Sequence, residues 1–176
     1  AGGDETEKVS VVKVDEENRT KVISAPFEIE AYTKFTFPGR AKKYSDFEWN
    51  YMCFSGVDYA ADINETGIFR IQNGYGDSFE EMIGDEKGNY DYLMYDDIDF
   101  RNPAVSEELL NWGKWYWDQV HFDAVRLDAV KHISPEFYLK WLYKLRERTW
   151  TEIFAVGEYW APGHLDLLLK YIEATN

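Results

Sequence analysis

The chain has 176 residues, 45% of them apolar and 18% aromatic, and a formal net charge of -14. That is enough apolar chain for one domain, or two small ones, with a real core, and it excludes gross disorder. The excess of 33 acids over 19 Lys and Arg repels phosphate backbones and argues against a nucleic-acid partner. The single Cys rules out a disulfide framework or a multi-Cys metal knuckle, and no apolar run approaches the ~18 residues of a membrane span.

The chain carries no internal repeat, but its grammar changes near residue 100. Val9 to Val14 and Lys21 to Ile23 flank the polar Asp15-Glu16-Glu17-Asn18, which predicts a hairpin. From Phe27 to Phe37 apolar and polar residues alternate, as in a half-buried antiparallel strand stopped by Pro38-Gly39. Residues 39–90, rich in Gly, Asp, Asn and aromatics, predict irregular structure with short strands. Asn102-Pro103 then offers an N-cap and a first-turn proline, and Val105, Leu109, Trp112, Tyr116 and Val120 recur at helical spacing. Two short strands follow, Ala124 to Leu127 and Ile153 to Val156, each succeeded by a helix: Ser134 onward, with Phe137, Trp141 and Leu145 on one face, and Leu165 to Ile172. Helices alternating with strands predict α/β structure with parallel strands and helical crossovers.

The sharpest local features end those two strands: Arg126-Leu127-Asp128 and Gly157-Glu158. Strand side chains alternate, so Arg126 and Asp128 point to the same side. Chemistry collects at the carboxyl ends of parallel strands, and the 30-residue spacing is that of one strand–helix unit, so both carboxyls belong at one mouth. Two carboxylates facing one substrate suit glycosidic cleavage, one as nucleophile and one as proton donor. Arg126 favours an ionised Asp128, the nucleophile. Partial desolvation beside Tyr159-Trp160 favours a protonated Glu158, the general acid/base. The plainer alternative is an ordinary Arg126–Asp128 ion pair and a solvated loop acid at Glu158.

Asp123-Ala-Val-Arg-Leu-Asp-Ala-Val-Lys-His132 closely resembles the strand-four motif of the alpha-amylase family of glycoside hydrolases, and Phe154-Ala-Val-Gly-Glu-Tyr-Trp160 resembles its strand-five motif. Gly88 to Tyr95, Phe37 to Arg40 and Tyr44 to Phe47 are similar to stretches of the liquefying-type bacterial enzymes, in the same order. The resemblance implies part of a (β/α)8 TIM barrel, helix three to helix five, over residues 101–176, preceded by a β-rich inserted domain B over residues 1–100. It implies retaining hydrolysis of α-1,4-glucosidic bonds by Asp128 and Glu158, with Arg126 supporting the nucleophile and Lys131 and His132 lining sugar subsites. The family's third acid would follow Asn176 and its strand-three motif would precede Ala1. The remainder of the barrel is thus an expected partner, and the segment alone is expected to be inactive. Family rivals are a transglycosylase or α-glucosidase; a rival of another class is a non-catalytic glucan-binding segment.

Asp91, Asp96, Asp97 and Asp99 crowd one segment, a composition that suits a hard cation or simply a solvated acidic loop. The resemblance implies one calcium ion, held by the Asp91 and Asp97 carboxylates and the backbone carbonyl of His132. Ser55 and Arg101 stand where some relatives place aspartates of a second metal cluster, which is therefore expected to be missing.

Trp49, Tyr51, Tyr159 and Trp160 are candidate sugar-stacking rings, Trp160 the best placed; Trp112, Trp115, Trp117 and Trp141 are expected to be packing residues. His121 and His164 read as structural and Cys53 as an inert thiol. Cys53 to Gly56, followed by Asp62 to Phe69, resembles the intracellular branch of these enzymes, and the lone thiol fits a reducing compartment, which favours the cytoplasm over secretion.

Overall fold

The computed structural model describes residues 2–40, 43–84, 86–89 and 91–175. Its first half is a five-stranded antiparallel sheet with strand order β2-β1-β4-β3-β5. The strands are β1 (Glu5–Val14), β2 (Phe27–Lys34), β3 (Phe54–Ala60), β4 (Glu65–Ile71) and β5 (Asp97–Ile98). The polar stretch after β1 is a turn, in which Asp15 accepts the backbone N–H groups of Glu17 and Asn18 at 2.9 and 3.0 Å. The expected hairpin partner is reduced to a single bridge, Val14 to Val22. Three residues are too few to satisfy the edge of a ten-residue strand, and β2 and β4 take both sides of β1 instead. The β3–β4 hairpin supplies the short strands expected within the otherwise irregular stretch 39–90, turning at Asn64, whose left-handed φ of 49° its short amide side chain tolerates.

The sheet is packed on both faces. Val9, Val11, Ile29, Ala31, Val57, Phe69 and Ile71 form one core, which takes in Val105 from the first helix. On the other face Val14 and Ile68 meet Phe79 and Tyr92, two residues of the long connection between β4 and β5. Arg19 ties that connection down: its guanidinium donates to the Tyr92 carbonyl and lies 5.4 Å from the Tyr92 ring centre. The connection is therefore a packed layer, available to support the site described below.

The second half consists of α1 (Pro103–Val120), β6 (Ala124–Leu127), α2 (Pro135–Thr149), β7 (Phe154–Gly157) and α3 (Leu165–Ala174). Asn102 caps α1, accepting the Ala104 N–H at 3.0 Å while its amide donates to the Met52 carbonyl at 2.9 Å. β6 and β7 pair in parallel, joined by α2. Beneath them Leu110, Trp141, Leu145 and Ile153 form a third core. Leu145 has no solvent exposure, so Leu145→Ala leaves a cavity; we expect a loss of about 2–5 kcal/mol in denaturant unfolding.

The helical spacing in α1 is as expected, but the buried face is not. Val105, Leu110 and Gly113 are buried, while Trp112 is 51% exposed and Trp115, Tyr116 and Val120 are exposed with it. Burial follows where α2 lies: Trp141 of α2 packs against Gly113 and donates its indole N–H to the Leu109 carbonyl at 3.0 Å. The opposite face is only partly covered: Tyr44 meets Trp115 edge-on with centroids 5.6 Å apart, and Trp112 and Trp115 each stack on Tyr116.

Candidate active site

The register of β6 against β7 builds the site. Arg126 is opposite Val156 and Leu127 opposite Gly157. The next residues, Asp128 and Glu158, are therefore also opposite each other. Backbone bonds extend the ladder to them, from the Glu158 N–H to the Leu127 carbonyl at 2.8 Å and from the Val130 N–H to the Glu158 carbonyl at 3.2 Å. Two local features permit this. Ala129 adopts φ of 49°, which turns the chain sharply after Asp128. At position 157 a Cβ would sit 3.2 Å from the Val130 methyls, so glycine lets the two strand ends approach.

Alternation then places Arg126, Asp128 and Glu158 on one side of the pair. The Arg126 guanidinium spans both acids: one terminal nitrogen lies 2.8 Å from Asp128 Oδ1, the other 3.2 Å from Glu158 Oε2. Two carboxylates and one guanidinium thus form a compact trio at the carboxyl ends of adjacent parallel strands. The pairing of Arg126 with Glu158 was not foreseen; it follows from the register, which sequence spacing does not reveal. The desolvation expected at Glu158 is not in place: its side chain is 41% exposed, and that of Asp128 is 73% exposed. The strand pair has open edges, so water reaches both acids.

Lys131 and His132 lie in the short turn Val130–His132 that follows Asp128. The Lys131 ammonium is drawn inward, with the side chain 10% exposed; it donates to the Trp160 carbonyl at 2.9 Å and stands 3.9 Å from Glu86. Burial, with the nearby charges of Lys131 and Arg19, pushes the His132 imidazole down to about 4. The Trp160 ring is 69% exposed beside the acids, open to a flat apolar ligand face. Trp49 and Tyr51 instead pack against the first core, Trp49 against Phe47 and Phe54, so both act as packing residues.

A second cluster sits under the β4–β5 connection. Asp91 is 1% exposed and its Oδ1 is buried with no hydrogen-bond partner; its Oδ2 accepts the Glu80 N–H at 2.6 Å. Asp97 is buried and accepts the Ser55 hydroxyl. Burial raises the pKa of both, and the Asp97 charge raises that of Asp91 further. Glu80, whose carboxylate accepts the Phe100 N–H at 3.1 Å, is pushed up to about 7 by burial. Buried carboxylates that repel one another, one with an orphaned oxygen, fit a hard cation. The described residues assemble no group of three or more His, Cys, Asp or Glu side chains around one point, so backbone carbonyls would have to complete the ligand set. Arg101 serves a different acid: its guanidinium makes two 2.8 Å bonds to the two oxygens of Asp99. Cys53 is buried and its thiol is pushed up by burial, an inert arrangement. Among the described residues no helix is long and apolar enough to cross a membrane.

No family model matches the chain. Curated relatives do, over nearly all of it. The cytoplasmic alpha-amylase of Escherichia coli K12 is 43% identical over 173 residues, 98% of this chain and 35% of that protein. The alpha-amylase of Bacillus licheniformis is 43% identical over 175 residues, 99% of this chain and 33% of that protein. The glucan 1,4-alpha-maltohexaosidase of Bacillus sp. strain 707 is 39% identical over 175 residues, 34% of its length. The relatives are thus glycoside hydrolases by name, and this chain spans about one third of the length of each. The chain is a homologue of a segment of the alpha-amylases.

Proposed function

We propose that the chain supplies the nucleophile and the acid/base of a retaining glycoside hydrolase acting on α-1,4-glucans. The observation that carries this is the Asp128–Arg126–Glu158 trio at adjacent strand ends. In the first half-reaction Asp128 attacks the anomeric carbon while Glu158 gives its proton to the leaving oxygen, and the glycosidic C–O bond breaks. In the second, Glu158 takes a proton from water as that water displaces Asp128, returning both groups to their starting states with the α configuration retained. Arg126 pairs with Asp128 and aligns it. The open Trp160 ring offers a stacking surface to a glucose unit. On this reading residues 1–100 are an inserted β-rich domain B and residues 101–176 part of a (β/α)8 barrel, whose remaining strands complete the site.

Calcium is proposed as the structural ion. Asp91 and Asp97 would hold it with the His132 carbonyl, supported here by the orphaned Asp91 oxygen. Bound there, the ion supplies positive charge that offsets buried carboxylates. A cytoplasmic location is proposed from the buried lone thiol and the similarity to a relative named as cytoplasmic.

Product analysis tests the activity. The whole enzyme that carries this chain, given maltoheptaose, should make internal cuts and release products initially in the α configuration. Stepwise release of single glucose units would favour an α-glucosidase, and longer products than the substrate a transglycosylase. Binding without cleavage would make the segment a glucan-binding element.

A further inference from the structure

The carboxyl end of β7 is held by the β4–β5 connection as well as by β6. The Tyr159 hydroxyl donates to the Ile83 carbonyl at 2.6 Å, a bond between residues 76 apart in sequence. Its ring lies against Tyr171 of α3, with centroids 4.9 Å apart. Gly84, at φ of 109°, carries the chain past this contact: a Cβ there would stand 3.6 Å from the Tyr159 hydroxyl and from Leu167. Burial, with the charges of Asp166 and Glu86, pushes the phenol up, so it remains a donor. One residue further on, Lys131 holds the Trp160 carbonyl while facing Glu86 of the same connection.

Glu158 is thus bracketed. On one side the strand ladder fixes its backbone; on the other, Tyr159 anchors the chain to Ile83. The connection that carries Ile83 is itself pinned to the sheet by Phe79, Tyr92 and Arg19. The Glu158 carboxylate is half open to solvent, so its pair with Arg126 and its backbone anchor together set where its proton is aimed.

We propose that Tyr159 is a positioning residue for Glu158, its hydroxyl aligning the acid by clamping the strand end to the Ile83 carbonyl. This rests on the acid/base reading of Glu158 given above. Tyr159→Phe in the whole enzyme removes one oxygen and keeps the ring against Tyr171, so the fold is retained. Two substrates separate alignment from general damage. Maltoheptaose has a sugar leaving group that needs the proton; a nitrophenyl α-maltotrioside has one that leaves as the anion. We expect kcat/KM on maltoheptaose, which reports the step in which Glu158 acts as the acid, to fall about tenfold, as a partial loss of an acid worth 10²–10⁴-fold, and kcat/KM on the aryl substrate to stay within about twofold. Equal losses on both substrates, or none on either, would overturn the inference. Glu158→Gln in parallel guards the premise: if that variant loses kcat/KM equally on both substrates, the acid assignment fails and not merely the Tyr159 tie.

Discussion

Glu158→Gln in the whole enzyme is expected to lower kcat on starch by about 10²–10⁴-fold with little change in KM. An amide of the same shape still occupies the site but delivers no proton to the leaving oxygen. Asp128→Asn is expected to cost at least as much, because it removes the group that would form the covalent intermediate, and no glycosyl-enzyme should then be trapped by a slow substrate. Steady-state kinetics on starch and mass spectrometry of the trapped enzyme check the two. The effects should not add: the residues act in one step, and losing either removes most of the acceleration. Undiminished hydrolysis by Glu158→Gln would return Glu158 to the role of a solvated loop acid paired with Arg126.

The second large effect concerns the buried carboxylates. Burial raises Asp91, Asp97 and Glu80 above their unfolded values, Glu80 to about 7. The folded state without a cation therefore holds protons that the unfolded state has released. Stability falls as pH rises from the unfolded carboxylate range near 4, and for Glu80 the loss is complete once pH passes about 7. Each such carboxylate contributes a slope of up to ~1.4 kcal/mol per pH unit, less where water screens it. A cation at Asp91 and Asp97 takes the place of those protons. We expect a chelator to lower Tm more at pH 7 than at pH 5, and calcium binding near pH 6 to release protons, measurable as a buffer-dependent enthalpy. A chelator that leaves Tm unchanged at both pH values would remove the ion from this site. Asp91→Asn should abolish the calcium-dependent part of Tm, since it keeps the shape and removes one charge.

Much of this molecule was legible in order of residues. Asn102-Pro103 announced α1 because capping is a local bond, and it starts at Pro103. The alternation from Phe27 marked β2 because a sheet with a covered face imposes a period of two. Asp128 and Glu158 stood out because they end short apolar strands. The β3–β4 hairpin was less visible: Gly56 and Gly67 interrupt its apolar pattern, and Gly56 is there because the Phe79 ring lies against it, a contact between distant residues.

By itself the sequence determined the local grammar: helix starts, strand periods, the spacing of two acids and their arginine. Those depend on groups a few residues apart, whose energies the chain reveals directly. Only the tertiary structure decided which face of α1 is buried, because that depends on where Trp141 of α2 comes to rest. It alone put one guanidinium between both acids, since strand register is a cooperative choice of two segments. It likewise left Glu158 open to water and brought Ile83 to Tyr159, because exposure and long-range hydrogen bonds belong to the packed chain and to no stretch of it.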